Sequence, residues 1–447
     1  MSKPITNLSL LPLQEDRDWH VLTISAKSLQ NLLEVIEKYM NYLLTHPEIN
    51  FADFCYNSNL LQNHYSYRLA ICAQTGTECG ELLKKHVQKQ NLKSFPQLKK
   101  IAFLYTGAGS QYTGMTKQLY LSNSIFRHTI DQCHEILEEL FNISLIDILY
   151  LKNGESINEI LHTQVSIFSI EVALSRLWES WGIIPDAVMG HSLGEYAAAY
   201  KAKMINLKDS LKLVGERGGL MQKLPENVAM VAALTNITTI KKVLKNLLDH
   251  VAIAAENSPY NTTLSGRKIF IEVAKKRLVE EGIEVQMLNI TRAGHSAEMA
   301  PILPDFRRSL NTVAFSLPEI KIVSNLTGNF ISPEIPIQNE YWCRQLCETV
   351  KFSKGLETLQ ENNIDAFVEI GSKPLLITLG KQSLSETQLT WLSSLHMGQP
   401  DWKSLGNALC ELYIKGITID WKKFDSGYKR LKSNLPNFIN NSEANHE

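Results

Sequence analysis

The sequence predicts an α/β fold: a parallel-sheet core, a ferredoxin-like subdomain inserted into it, and a small α/β unit in front. Three observations carry this. From the apolar run Ile101-Ala102-Phe103-Leu104-Tyr105, strand and helix patterns alternate to about residue 225, the order of a helix-covered parallel sheet. Between 228 and 290 the order becomes strand (230–234), helix (239–248), strand (251–255), strand (261–265), helix (270–281), strand (284–290). That βαββαβ series is a split ferredoxin-like unit. Alternation then resumes through 320–324 and 366–370, so the second unit reads as an insertion.

Taken in order, the first dozen residues lack periodicity, and residues 1–18 read as a flexible N-terminus. Residues 19–98 form a unit of their own, with a strand at 21–24, an amphipathic stretch at 28–44 and a clear strand at 66–73. Its last part, 84–100, is rich in Lys and Gln and reads as a helix end and linker; the unit carries no recognisable chemistry. The core is expected over 99–227 and 291–385, with the insertion at 228–290 between them. Residues 386–439 follow, with an apolar helix at 402–415, and a polar tail closes the chain at 440–447.

A chain of 447 residues has room for two or three compact units. Its formal net charge of -1 offers no electrostatic footprint for nucleic acid or an anionic membrane. The cysteines number seven, an odd count, scattered without a zinc pattern, so reduced thiols and a cytoplasmic setting are expected. No signal peptide and no run of about 18 apolar residues is seen.

Chemistry concentrates at Gly190-His191-Ser192-Leu193-Gly194. The pentapeptide follows the strand-like Pro185-Asp186-Ala187-Val188-Met189 and leads into the Ala-rich Glu195-Tyr196-Ala197-Ala198-Ala199-Tyr200. Strand, G-x-S-x-G, helix is the layout of a nucleophile elbow, which holds the serine hydroxyl at the top of a sheet and the positive end of a helix. An ordinary glycine turn is the bland alternative. A serine needs a base and oxyanion donors. The elbow offers the Leu193 N–H. A second donor could come from the loop Thr106-Gly107-Ala108-Gly109-Ser110-Gln111-Tyr112-Thr113-Gly114-Met115, although a plain tight turn explains it equally well. No G-K-[ST] follows, and Tyr112 stands where a dinucleotide loop has its third glycine.

Among twelve histidines, His191 is too close in sequence to the serine to act as base. His295, in Thr291-Arg292-Ala293-Gly294-His295-Ser296, sits on a small-residue turn that can aim its imidazole back at the core; a surface histidine is the alternative. No Asp or Glu stands out as its partner, which leaves a backbone carbonyl or an amide to orient it. Asn206 is a good N-cap for a helix whose Leu207, Leu211, Val214 and Met221 share one stripe, and Arg217 falls on that stripe. A buried guanidinium needs a partner. Three arrangements are open: a protein carboxylate, a stem that snorkels to the rim, or a ligand carboxylate gripped in two bonds.

Together these motifs resemble the acyltransferases of polyketide and fatty-acid synthases, the malonyl-CoA:carrier-protein transacylase family. The resemblance runs through the loop at 107–115, Gln164, the elbow, Glu216-Arg217-Gly218-Gly219-Leu220-Met221-Gln222, Asn257-Ser258-Pro259, Ala293-Gly294-His295-Ser296, Val323-Ser324-Asn325-Leu326-Thr327-Gly328 and Glu369-Ile370-Gly371. Residues 19–98 look like the linker between ketosynthase and acyltransferase, and 386–439, with Leu435-Pro436-Asn437-Phe438, like the post-acyltransferase segment. The resemblance implies a hydrolase-like core and ping-pong transfer. Ser192 would take an acyl group from CoA, or from a carrier protein, and pass it to the phosphopantetheine thiol of an acyl carrier protein. His295 would be the base, the amides of Ala108 and Leu193 the oxyanion hole, and Arg217 the clamp on a malonyl-type carboxylate. Gln111, Gln164, His191, Asn257 and Gly294 would complete the substrate site. No metal or bound cofactor is implied, and the partners are the carrier protein and other synthase modules such as a ketosynthase.

Two departures from the family pattern stand out. Ala108 replaces the glutamine of a G-Q-G loop, keeping the backbone donor but losing a side-chain hydrogen bond. Arg292-Ala293-Gly294-His295 replaces the His-Ala-Phe-His of malonyl-selective members, so Gly294 opens space for an α-substituent, although Leu193 is the residue usual in malonyl-selective ones. The rival readings are a proofreading thioester hydrolase on the same Ser192 and His295, and a non-catalytic scaffold. The polar ends favour a discrete enzyme acting in trans over an excised domain.

Overall fold

The structure, a computed structural model, describes residues 14–88, 97–151, 156–290, 292–334, 337–384 and 388–432. The expected N-terminal segment up to residue 13, residues 89–96 of the 84–100 linker, Thr291, the Leu435-Pro436-Asn437-Phe438 motif and the polar tail lie outside the described residues.

The front unit pairs β1 (His20–Ala26) with β2 (Tyr67–Ala73) antiparallel. Ser28 caps the helix Leu29–Thr45 by accepting from the Asn31 amide, and the buried stripe Leu32, Ile36, Tyr39 and Leu43 turns to the strands.

The main sheet contains β3 (Ile101–Tyr105) and β4 (Ala187–Gly190). A second sheet comprises β5 (Val228–Ala233), β6 (Val251–Ser258), β7 (Asn261–Arg267) and β8 (Val285–Met287). The main sheet resumes with β9 (Lys321–Val323), β10 (Ala366–Ile370) and β11 (Thr390–Ser393). Its order is β11-β10-β3-β4-β9, and every pairing is parallel. Both faces are covered, so β3 is buried throughout. Ile101, Phe103 and Tyr105 enter one core while Ala102 and Leu104 enter the other. The chain leaves β3 toward β4 and β9 but leaves β10 toward β11. The strand ends beside β3 and β10 therefore form the crevice where open α/β sheets bind ligands.

The inserted sheet runs β6-β7-β5-β8, all antiparallel, which is the ferredoxin-like order expected, with its own core around Val231, Leu264 and Ile271. Its last strand is shorter than the sequence predicts.

β11 lies past residue 385, where the core was expected to end, yet it pairs with β10. Four residues, two of them polar, leave too little periodicity to read as a strand. Beyond it the helix Asp401–Ile414 packs on β2, with no room for a Cβ at Gly406 against the Cys72 sulfur. Among the described residues no helix is long and apolar enough to cross a membrane.

The two ends of the described chain are tied by buried charge. Arg17, 3% exposed, pairs with Asp425 at 2.8 Å and lies 4.0 Å from the Phe424 ring centre. Arg430 bonds the same Asp425 at 2.7 Å and Asp16 at 2.6 Å. Asp425→Ala leaves two buried guanidinium groups sharing too little negative charge. It is expected to cost about 3 kcal/mol, read as a lower urea midpoint.

Candidate active site

Ser192 closes β4 in the left-handed region, at φ 55°. A Cβ at Gly190 would overlap the Glu195 amide, and one at Gly194 would overlap the Tyr105 carbonyl, so both flanking positions require glycine. Such a backbone costs about 1–3 kcal/mol for a serine unless its surroundings enforce it. Here the Ser192 N–H donates to Asn325 Oδ1 at 2.8 Å and its carbonyl accepts from Gln345 Nε2 at 2.8 Å. The helix Gly194–Lys201 starts directly behind the hydroxyl.

His295 also has positive φ, at 58°. Its N–H donates to the Leu346 carbonyl at 2.9 Å, and Nδ1 lies 3.0 Å from the Glu348 carbonyl. Both acceptors belong to the C-terminal end of the helix Asn339–Cys347, where carbonyls lack intrahelical donors. A carbonyl only accepts, so Nδ1 carries the proton and Nε2 offers its lone pair. Nε2 stands 2.7 Å from Ser192 Oγ. The orienting group is thus a backbone carbonyl, one of the two expected. Burial, followed by the positive charge of Arg217 and the nearness of His191, pulls the His295 pKa down to about 3. The imidazole is neutral and able to take a proton at neutral pH.

Asn206 caps the helix Leu207–Gln222 by accepting from the Asp209 amide at 2.9 Å. Arg217 on that helix is 3% exposed, which rules out a stem snorkelling to the rim. Its Nη1 donates to Gln164 Oε1 at 2.6 Å, Nε is buried with no partner, and no carboxylate lies in ion-pair reach among the described residues. The Tyr196 ring centre is 5.8 Å away. Burial lowers the Arg217 pKa. A cation held by one amide has unused capacity for an anion.

His191 is turned elsewhere. Asn257 Nδ2 donates to Asn261 Oδ1 and Thr263 Oγ1, which leaves Asn257 Oδ1 to accept from His191 Nε2 at 2.8 Å. Burial lowers the His191 pKa, and its ring stands edge-on to Phe352. The glycine loop presses on the elbow: a Cβ at Gly107 would lie 2.8 Å from the His191 carbonyl. The amides of Ala108 and Leu193 find no protein acceptor among the described residues. Gln111, expected to face substrate, turns back, and its Oε1 accepts from the Gly109 amide at 2.8 Å. A Cβ at Gly294 would meet nothing within 4 Å. Arg292, which had no role in the sequence reading, pairs with Glu226 at 3.1 Å and donates to the Gln222 carbonyl at 2.8 Å.

Ser192, His295, His191, Asn257 and the Gly107 turn are therefore one cluster, and Arg217 with Gln164 lies close enough to bias the imidazole. Sequence reasoning assigned no role to Asn325, Gln345 or the Glu348 carbonyl. Asn325 lay inside a quoted motif, whereas a carbonyl leaves no residue signature.

A nucleophile elbow on a parallel sheet with a ferredoxin-like insertion is the architecture of acyl transferases. The chain belongs to that family in its polyketide synthase form: the Acyl transferase domain family matches residues 102–414, and the CurL-like, PKS C-terminal family matches residues 20–83. It is 33% identical over 415 residues to non-reducing polyketide synthase 1 of Elsinoe fawcettii, covering 91% of this chain but 19% of that protein. The acyl transferase domain of ZmaA is similar in structure, with a TM-score of 0.87 and 29% identity, covering 94% of this chain and 99% of that one. The acyl carrier protein S-malonyltransferase of Vibrio cholerae O1 biovar eltor str. N16961 is similar with a TM-score of 0.61 and 26% identity, covering 67% of this chain and 98% of that one. The chain spans about a fifth of the curated relatives it matches, which are much longer synthases, so a discrete enzyme acting in trans draws no support from them.

In histidine-labelled protein, with signals assigned through His295→Gln, the His295 imidazole is expected to stay neutral and protonated on Nδ1 from about pH 8 to about pH 5 in NMR spectra. Titration at the ordinary value of about 6.5 would contradict it.

Proposed function

We propose that the chain loads a malonyl-type unit, carrying an α-substituent, from an acyl thioester onto the phosphopantetheine thiol of an acyl carrier protein. Ser192 Oγ attacks the thioester carbon as its proton passes to His295 Nε2. The carbonyl oxygen becomes an oxyanion facing the Leu193 and Ala108 amides. The C–S bond breaks, and the leaving thiolate takes the proton from the imidazolium. In the second half the carrier thiol loses its proton to His295 and attacks the acyl-serine. The C–O bond to Ser192 then breaks, and the proton returns to its oxygen. The contact of 2.7 Å between Ser192 Oγ and His295 Nε2 is the observation that carries this reading.

Arg217 supports a donor with a free carboxylate, because a buried guanidinium with no protein anion among the described residues is otherwise hard to account for. The open space at Gly294 supports an α-substituent, since nothing occupies the position where a larger residue would narrow the pocket. The donor is CoA-linked or carrier-linked, and both deliver the same thioester. The front unit, 19–98, fits the linker expected before an acyltransferase, with a ketosynthase among the neighbouring modules.

The test presents CoA-linked and carrier-linked donors in competition and reads acyl groups on Ser192 and on the carrier by intact mass. Ser192→Ala is expected to lose both signals. Arg217→Ala is expected to cost a malonyl-type donor about 3 kcal/mol, roughly 10²-fold in kcat/KM, while sparing acetyl donors. Rapid release of free acid without carrier loading would favour the hydrolase reading. Gly294→Phe is expected to shift preference toward unsubstituted malonyl by about tenfold. An unchanged ratio would remove the pocket argument.

A further inference from the structure

Asn325 lies just past the end of β9, 1% exposed, with every polar atom engaged. Its Nδ2 donates to the Gly190 carbonyl at 2.7 Å, and its Oδ1 accepts from the Ser192 N–H at 2.8 Å. Its own N–H donates to Glu195 Oε1 at 2.9 Å, and its carbonyl accepts from the Lys351 amide at 2.8 Å. The carboxamide thus bridges the residues on either side of His191, across the turn that forces Ser192 to φ 55°. Glu195 in turn accepts from the Tyr341 hydroxyl, so the bridge rests on a buried polar network rather than on a mobile side chain.

We propose that Asn325 is a positioning residue that sets both the direction of the Ser192 hydroxyl and the identity of the elbow's oxyanion donor. One face of the turn must be offered a donor and an adjacent acceptor at the same time, and a carboxamide supplies both. With the Ser192 N–H occupied by Asn325 Oδ1, the next amide, that of Leu193, is the elbow amide left to face a ligand. Released from this bridge, the turn would relax away from positive φ and carry Oγ out of line with His295 Nε2. A displacement of about 1 Å at a reacting atom costs about 10²-fold in rate.

The proposal rests on Ser192 being the nucleophile, which belongs to the proposed function, but it does not depend on which acyl group is carried. A fluorophosphonate, which labels an activated serine without any donor or carrier, is therefore the probe, with the full chain and the labelled residue identified by mass. Asn325→Asp is close to isosteric. Its carboxylate accepts from the Ser192 N–H but confronts the Gly190 carbonyl with a second acceptor. Its protonated form supplies an O–H to that carbonyl and restores the native pattern.

The titratable groups around position 325 are Glu195, whose pKa burial pushes up to about 7, Tyr341, which burial raises, and, across Ser192, the neutral His295. A wild-type scan over the same pH range subtracts their contributions. At about pH 8 Asn325→Asp and Asn325→Ala are each expected to lose about 10²-fold in the maximal labelling rate, with little change in reagent affinity. Toward about pH 5.5 Asn325→Asp is expected to recover to within about tenfold of wild type while Asn325→Ala does not.

Near-native rates in both variants would overturn the proposal, as would a loss confined to affinity. A folded Asn325→Asp that stays unreactive at low pH would overturn it too. If the aspartate variant folds only at low pH, full labelling there supports the proposal and absent labelling rejects it. Wild-type labelling of Ser192, with no acyl adduct from any malonyl donor, would reject the transfer reading and leave this one standing.

Discussion

A single hydrogen bond, from Ser192 Oγ to His295 Nε2, joins residues 103 positions apart in the chain. Most of that separation is taken up by the helix carrying Arg217 and by the ferredoxin-like insertion. The site therefore exists only if the insertion returns the chain to the core at one place. What fixes that place is the end of the helix Asn339–Cys347. Its last carbonyls hold the His295 amide and ring, and Gln345 from the same helix holds the Ser192 carbonyl. Nucleophile and base are thus referred to a common element, while Ser265 of the insertion holds the Gly294 carbonyl beside the base. Both occupy the left-handed region, so neither is at its own conformational minimum.

Beneath the site lies a layer of buried acids. Glu369 accepts from the amides of Leu375, Leu376 and Ile377 at the start of the helix Leu376–Ser383, and burial still pushes its pKa up to about 7. Glu171 accepts from the Thr106 hydroxyl under the glycine loop, and burial raises its pKa well above the ordinary value. The loop itself is gripped from the far side: Ser372 Oγ donates to the Ser110 carbonyl at 2.6 Å, and Lys373 Nζ donates to the Gln111 carbonyl at 3.2 Å. Gln111, folded back on the Gly109 amide, and the 372–373 turn together anchor the loop.

How much of this was legible in the sequence follows from the range of each signal. The elbow is local: two glycines and a serine at fixed spacing leave one geometry, and the sterics at Gly190 and Gly194 are written in the residues themselves. The Arg217 stripe is equally local, a matter of helical period. The order of the inserted sheet was readable because βαββαβ has few ways to close. By contrast, the partner of His295 is a carbonyl that any residue could supply, and the helix bearing it was not anticipated. β11 is too short to announce itself, so the core was expected to end before its edge strand. Asn325 was visible, but its use needed β9 and β4 side by side.

Among the described residues no carboxylate pairs with Arg217, and its charge also reaches the base. Burial and, after it, the charge of Arg217 depress the basicity of His295, so the resting site disfavours the imidazolium that transfer requires. On the proposed chemistry, a cargo bearing its own negative end cancels that charge on arrival and eases protonation of the ring. Recognition and reactivity would then share one electrostatic contribution, smaller than that of burial. A neutral cargo would leave the Arg217 share of that cost in place.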